Sequence, residues 1–151
     1  MKVDELNEEQ VNYLNDTLVI LSAHYGALRP FDLIKNYRLD YKMQIPKLAL
    51  KDIWDYRVNE YLGGEVIINL ASSEFSSMIK GSKIDIEFKE RRNGKYKVIG
   101  TYAKMARGRM INMIAKNMVE SPEEIKGFSV LGYAYNEELS SDSRYVFTKG
   151  S

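Results

Sequence analysis

The stretch from Lys83 to Tyr102 constrains the fold more than any other. Ile84, Ile86 and Phe88 alternate with polar residues, and Tyr96, Val98 and Tyr102 resume the alternation with Gly100 between them. Arg92-Asn93-Gly94-Lys95 separates the two runs, and Asn-Gly is the two-residue turn whose backbone twist matches that of paired strands. The spacing predicts a β-hairpin. A helix from about Ala103 to Met118 follows, with Met105, Ala106, Met110, Met113, Ile114 and Ala115 available for burial.

The remaining periodicities place further elements around this hairpin. Residues 4–21 read as a helix, because Leu6, Val11, Leu14, Leu18 and Leu21 recur mostly every three or four residues. A small-residue turn (Ser22, Ala23, Gly26) separates it from a short second helix over Phe31–Tyr37, with Pro30 near its start. Lys51–Leu62 forms a clearer helix, stopped by Gly63-Gly64. Glu65–Leu70 reads as a short buried strand, and Ser72-Ser73 caps a brief helix through Ile79. Ser121-Pro122-Glu123-Glu124 begins another helical turn, and Phe128–Tyr135 and Arg144–Lys149 read as strands. The order predicts one α+β domain over residues 1–151: a mixed β-sheet with flanking helices and β-hairpins.

Composition narrows the chemistry. The chain has 151 residues, no cysteine and one histidine. Thiolate nucleophiles, disulfides and a multi-histidine metal site are therefore excluded. No apolar run is of membrane-spanning length, and the acidic, polar start MKVDELNEEQ is unlike a signal peptide, so a cytoplasmic protein with no membrane partner is expected. The sequence holds none of the usual catalytic or phosphate-loop motifs, and no catalytic residue, cofactor or metal is assigned. His24, lying beside Tyr25, reads as a structural or surface group.

The net charge of +1 conceals a concentration of positive charge. Residues 80–116 carry eleven Lys or Arg against three acids, whereas residues 1–18 and 117–151 are acidic. Such a block points to a polyanionic partner, although a solvated hairpin and helix face would have the same composition. Two segments suit anions. In residues 18–41, a Gly-containing turn is flanked by Arg29 and Arg38, so that backbone N–H groups of Ser22–Gly26 would approach a phosphate. Lys104 and Arg107, near the start of the long helix, oppose its dipole unless an anion lies nearby. Asn69, Ser72 and Glu74, at the end of the strand over residues 65–70, either line a ligand crevice or serve as local caps.

These segments carry a family resemblance. LSAHYGALRPFDLIKNYRLDY (21–41), IWDYRVNEYL (53–62), VIINLASSEF (66–75), YAKMARGRMINMIAKN (102–117), GFSVLGYAY (127–135) and RYVF (144–147) resemble, in order, the motifs of the YaaA family of bacterial peroxide-stress proteins. The family's amino-terminal region, with its Ser-Pro-Ala-Lys-type strand, has no counterpart, so the chain resembles the later part of the family fold. The resemblance implies a cytosolic DNA-binding protein that limits iron-dependent DNA damage under hydrogen peroxide, with a helix-hairpin-helix element and a basic cleft. It matches Ser22, Tyr25, Gly26, Arg29 and Arg38 to the hairpin, and Lys104 and Arg107 to the YAK-ARG block. The chain departs from the family pattern at Ala23, His24, Lys42 and Met105.

Two functions from different classes are thus expected. The first is DNA binding through phosphate contacts, with weak sequence specificity, by Ser22, Tyr25, Gly26, Arg29, Arg38, Lys104 and Arg107. The second is an enzyme acting on a small phosphorylated or nucleotide-like substrate, with Asn69, Ser72, Glu74 and Tyr102 around it and Lys104 as base or nucleophile. A third, direct iron binding by scattered carboxylates, has little to support it in a chain so poor in His and Cys.

Overall fold

The computed structural model describes residues 1–43, 45–46 and 48–150. It divides the chain into two compact units: a terminal unit of Met1–Tyr13 and Ile84–Ser151, and a middle unit of Leu14–Lys83. The architecture is α+β, with a mixed sheet, helices and two β-hairpins.

In the middle unit, the predicted helix over residues 4–21 is shorter than its periodicity suggests. A 3-10 turn covers Val3–Glu5, and α1 runs from Glu8 to Thr17, crossing the boundary between the units. Residues 20–22 are extended instead, as β1 (Ile20–Ser22), which pairs antiparallel with β2 (Gly26–Leu28). The small-residue turn therefore joins two strands, in place of the two helices of a helix-hairpin-helix. The helix predicted over 31–37 is absent. Residues 31–38 are all exposed, Leu33 completely so, and seven residues without a buried face cannot offset the cost of nucleating a helix. The Asp32 carboxylate instead accepts the backbone N–H of Arg29 at 2.7 Å, folding the Arg-Pro stretch into a local turn.

The helix α2 (Leu50–Leu62) forms as its apolar spacing predicts and ends at Gly63, whose φ of 64° suits a residue without Cβ. The strand β3 (Ile67–Asn69) is shorter and less buried than expected, and α3 spans only Ser73–Ser76. The buried cluster of this unit comprises Ala23, Tyr41, Leu50 and Met78, with Leu39, Ile45, Trp54 and Phe75 packed against it.

In the terminal unit, the sheet is built on β4 (Lys83–Arg92), whose first residue closes the middle unit. Its partner across the Asn93-Gly94 turn is β5 (Lys95–Lys97), and both turn residues have the positive φ such a turn requires, 51° and 74°. The strand β7 (Arg144–Lys149) lies parallel to β4, from Asp85 opposite Arg144 to Glu90 opposite Lys149. The predicted strand over 128–135 is reduced to β6 (Ala134–Tyr135), antiparallel to β7. Leu131 and Gly132, both at positive φ, form a tight turn within a Val130–Tyr133 bridge and leave too little extended chain for more.

Alternate residues of β4 are buried, and Phe88 packs its ring on Tyr133 and Phe147 at 5.4 and 5.6 Å between centroids. The helix α4 (Gly100–Asn117) starts three residues earlier than predicted and buries Ala103, Ala106, Met110, Asn112 and Ala115. Asn112 brackets the backbone of Lys2, accepting its N–H and donating to its carbonyl, both at 2.7 Å. Glu5 is held by Lys116 and Arg109 of α4, at 2.7 and 2.9 Å. Ser121 and Glu124 form a capping box at the start of a 3-10 helix over Pro122–Gly127. Among the described residues, no helix is long and apolar enough to cross a membrane.

Candidate functional site

The residues expected to bind phosphate fall in both units. Ser22, Tyr25, Gly26, Arg29 and Arg38 belong to the middle unit, Lys104 and Arg107 to the terminal one.

In the middle unit, the turn is held by its own groups. Ser22 is buried, and its hydroxyl oxygen accepts the backbone N–H of Tyr25 at 2.9 Å and of His24 at 3.2 Å, while sharing a 2.6 Å hydrogen bond with the Tyr37 hydroxyl. Two N–H groups assigned from sequence to a phosphate are thus occupied. The carbonyl of Ser22 accepts from Tyr41 and that of Ala23 from the Trp54 indole. Gly26, at φ 81°, lies against the face of Trp54, where a Cβ would come within 2.9 Å of three ring carbons. Its missing side chain admits the indole. Tyr25 accepts the N–H of Lys35, and its ring meets those of His24 and Tyr37 at 4.6 and 5.5 Å. Arg29 is exposed and donates to the Tyr61 hydroxyl, which raises its pKa further; Arg38 is exposed as well.

The expected crevice residues also fall in both units. Asn69 is buried and donates to the Ser76 hydroxyl at 2.7 Å while accepting the N–H of Ala71. Glu74 accepts the N–H of Lys42 and faces its ammonium at 3.7 Å. Ser72 precedes α3 without a side-chain cap bond, and Tyr102 belongs to the terminal unit.

In the terminal unit, α4 begins at Gly100, so Lys104 is its fifth residue and Arg107 its eighth. Neither sits in the first turn, where cation and dipole would conflict most. Lys104 is exposed; Arg107 is half-buried, and its Nε is the one buried side-chain polar atom without a partner among the described residues. Several cations of the basic block are neutralised: Lys80 by Asp55, Lys89 by Glu87, Arg92 by Glu90, and Arg109 and Lys116 by Glu5. Arg91, Lys95, Lys97 and Lys104 are exposed and take part in no ion pair among the described residues. Three of these four lie on the β4–β5 hairpin.

The sequence pointed to one residue, Tyr102, of a cavity in this unit. It has a volume of about 440 Å³ and is lined by Glu90, Arg92, Tyr102, Met105, Leu131, Tyr133 and Lys149. Glu90 is only 8% exposed, a costly place for a carboxylate without partners. The Tyr133 hydroxyl donates to its Oε1 at 2.8 Å and Arg92 to its Oε2 at 2.7 Å. These two bonds, Tyr133 first, hold its pKa below the ordinary value despite burial. Burial and the bond to Glu90 push Tyr133 up to about 12. The Lys149 ammonium lies 5.7 Å from the centre of the Tyr133 ring. The alternation held a signal for this site: the buried row Ile84, Ile86, Phe88 continues onto Glu90, placing a carboxylate at an inward position. Among the described residues, no three His, Cys, Asp or Glu gather as a metal site would.

Comparison with known proteins places this chain in a family. A family model described as peroxide stress protein YaaA matches residues 1–139. The chain belongs to that family. It is 41% identical to a UPF0246 protein of Fusobacterium nucleatum over 99% of its length, covering 63% of that relative. It is 40% identical to a UPF0246 protein of Rickettsia felis (97% of the chain, 64% of the relative) and 41% to one of Rickettsia bellii (95% and 63%). The chain therefore spans just under two thirds of the length of these curated YaaA-family relatives.

Proposed function

We propose that this chain acts in the peroxide stress response of the YaaA family as a cytoplasmic nucleic-acid-binding module, limiting iron-dependent damage by occupying DNA. The observation that carries the reading is the group of exposed cations Arg91, Lys95, Lys97 and Lys104, which no carboxylate neutralises among the described residues. A two-stranded ribbon with a basic tip offers several ammonium and guanidinium groups to consecutive phosphates, and Tyr96, 37% exposed between them, adds a ring. Arg29, Arg38 and Arg107 are further phosphate contacts in this reading. Ser22, Tyr25 and Gly26 shape the middle-unit turn instead of supplying donors.

Contacts of this kind are weakly sequence-specific and steeply salt-dependent. Titration of a labelled duplex at a series of salt concentrations tests the reading. The Arg91→Ala, Lys95→Ala and Lys104→Ala changes should each weaken binding to all duplexes alike and flatten the salt slope by about one unit. Absence of binding at low salt, or binding indifferent to salt, would overturn it.

A further inference from the structure

We infer that the cavity between β4, α4 and the Val130–Tyr133 turn is a separate small-ligand site that takes a guanine nucleotide, a flat ring with two adjacent N–H donors and an anionic group. Its volume of about 440 Å³ lies within the range of small-molecule sites. Three features specify the ligand. The first is the carboxylate of Glu90, almost fully buried and lining the cavity. Each of its oxygens accepts one protein hydrogen bond, from Tyr133 or Arg92, and each retains a second acceptor position. Two free positions side by side match the ring N–H and exocyclic amine of guanine. Adenine, with an acceptor beside its amine, would set a lone pair against one of these oxygens.

The second feature is apolar. Tyr102, Met105 and Leu131 are 48, 56 and 47% exposed, and all three line the same cavity. Large side chains left half-open around one concavity suit the faces of a planar ring better than open water. The third is charge. Lys149 lines the cavity, has no ion pair among the described residues, and stands opposite Glu90 in the parallel β4–β7 register. Its ammonium supplies the cation for a phosphate. The cavity thus offers a carboxylate for the base and a cation for the phosphate on neighbouring strands.

Nuclear magnetic resonance titration of the whole chain with GMP, guanosine, AMP and inorganic phosphate tests this inference. GMP should bind saturably, moving amide signals near residues 90–92, 102–105, 131–133 and 149, with AMP at least about tenfold weaker. Met105→Glu, at an exposed position, should keep the folded spectrum and raise the GMP Kd at least about tenfold. Lys149→Ala should raise the Kd for GMP about fivefold and leave that for guanosine unchanged. Shifts confined to other residues, equal binding of AMP, reproduction of the effect by phosphate alone, an unaltered Kd in Met105→Glu, or no response at millimolar GMP would each overturn it.

Discussion

The Ser22–Gly26 turn and the β4–β5 hairpin both attract attention as anion sites, yet they are built in opposite ways. In the turn, the Ser22 hydroxyl engages the N–H groups of His24 and Tyr25, Tyr41 and Trp54 engage the carbonyls of Ser22 and Ala23, and the Trp54 indole packs against Gly26. In the hairpin, backbone pairing joins β4 to β5, and Arg91, Lys95 and Lys97 are exposed along the ribbon. A motif can stand out because it is structurally demanding, while the groups open to a partner lie in a plainer stretch. A residue whose donors are taken stabilises; a residue whose charge is unmet is available for binding.

Gly26→Ala carries the largest expected effect. The new methyl would enter the Trp54 ring at a φ of 81°, so the middle unit should lose about 2–4 kcal/mol, read from a urea melt followed by Trp54 fluorescence. A neutral outcome would show that the turn is loosely packed and free to meet a ligand. Ser22→Ala removes the acceptor of two N–H groups and the partner of Tyr37, and should cost about 1–3 kcal/mol in the same melt. If it instead left stability intact and weakened duplex binding, the turn would be a phosphate site.

Acid sharpens the terminal side. The Glu5 carboxyl is held at about 2 by Lys116, then Arg109 and Lys2, against an ordinary 4.5. Because the folded pKa is the lower one, this stabilisation is complete above pH 4.5 and is lost as the pH falls toward 2. Glu5→Gln should therefore lower stability at neutral pH and flatten its decline across that acid range, measured by thermal melts against pH. The smallest effect belongs to the hairpin tip: Lys95→Ala should alter stability by less than about 0.5 kcal/mol. A larger loss would make that cation structural and remove it from the proposed interface.

Much of the secondary structure was legible in the sequence. The Asn93-Gly94 turn, the apolar face of α2 with Gly63 beyond it, and the Ser121 capping box each arise from a few neighbouring residues, and local physics suffices for them. The helices expected over residues 18–21 and 31–37 do not form, because an apolar spacing says only that a face exists, not whether anything covers it. Leu21 ends in a strand pair, while Leu33 and Ile34 meet solvent. The family was legible from the order of its motifs, since those blocks persist along nearly the whole chain.

The α+β class, the basic hairpin and the kinship can be read along the chain, because strand alternation, turn chemistry and charge are properties of contiguous residues. Which polar groups are spent and which are open follows from how distant segments meet. Ser22 is occupied by Tyr37, fifteen residues away, and Glu90 is joined to Tyr133, forty-three residues away, with Lys149 opposite it. Such pairings depend on how distant segments pack, and no local pattern encodes them.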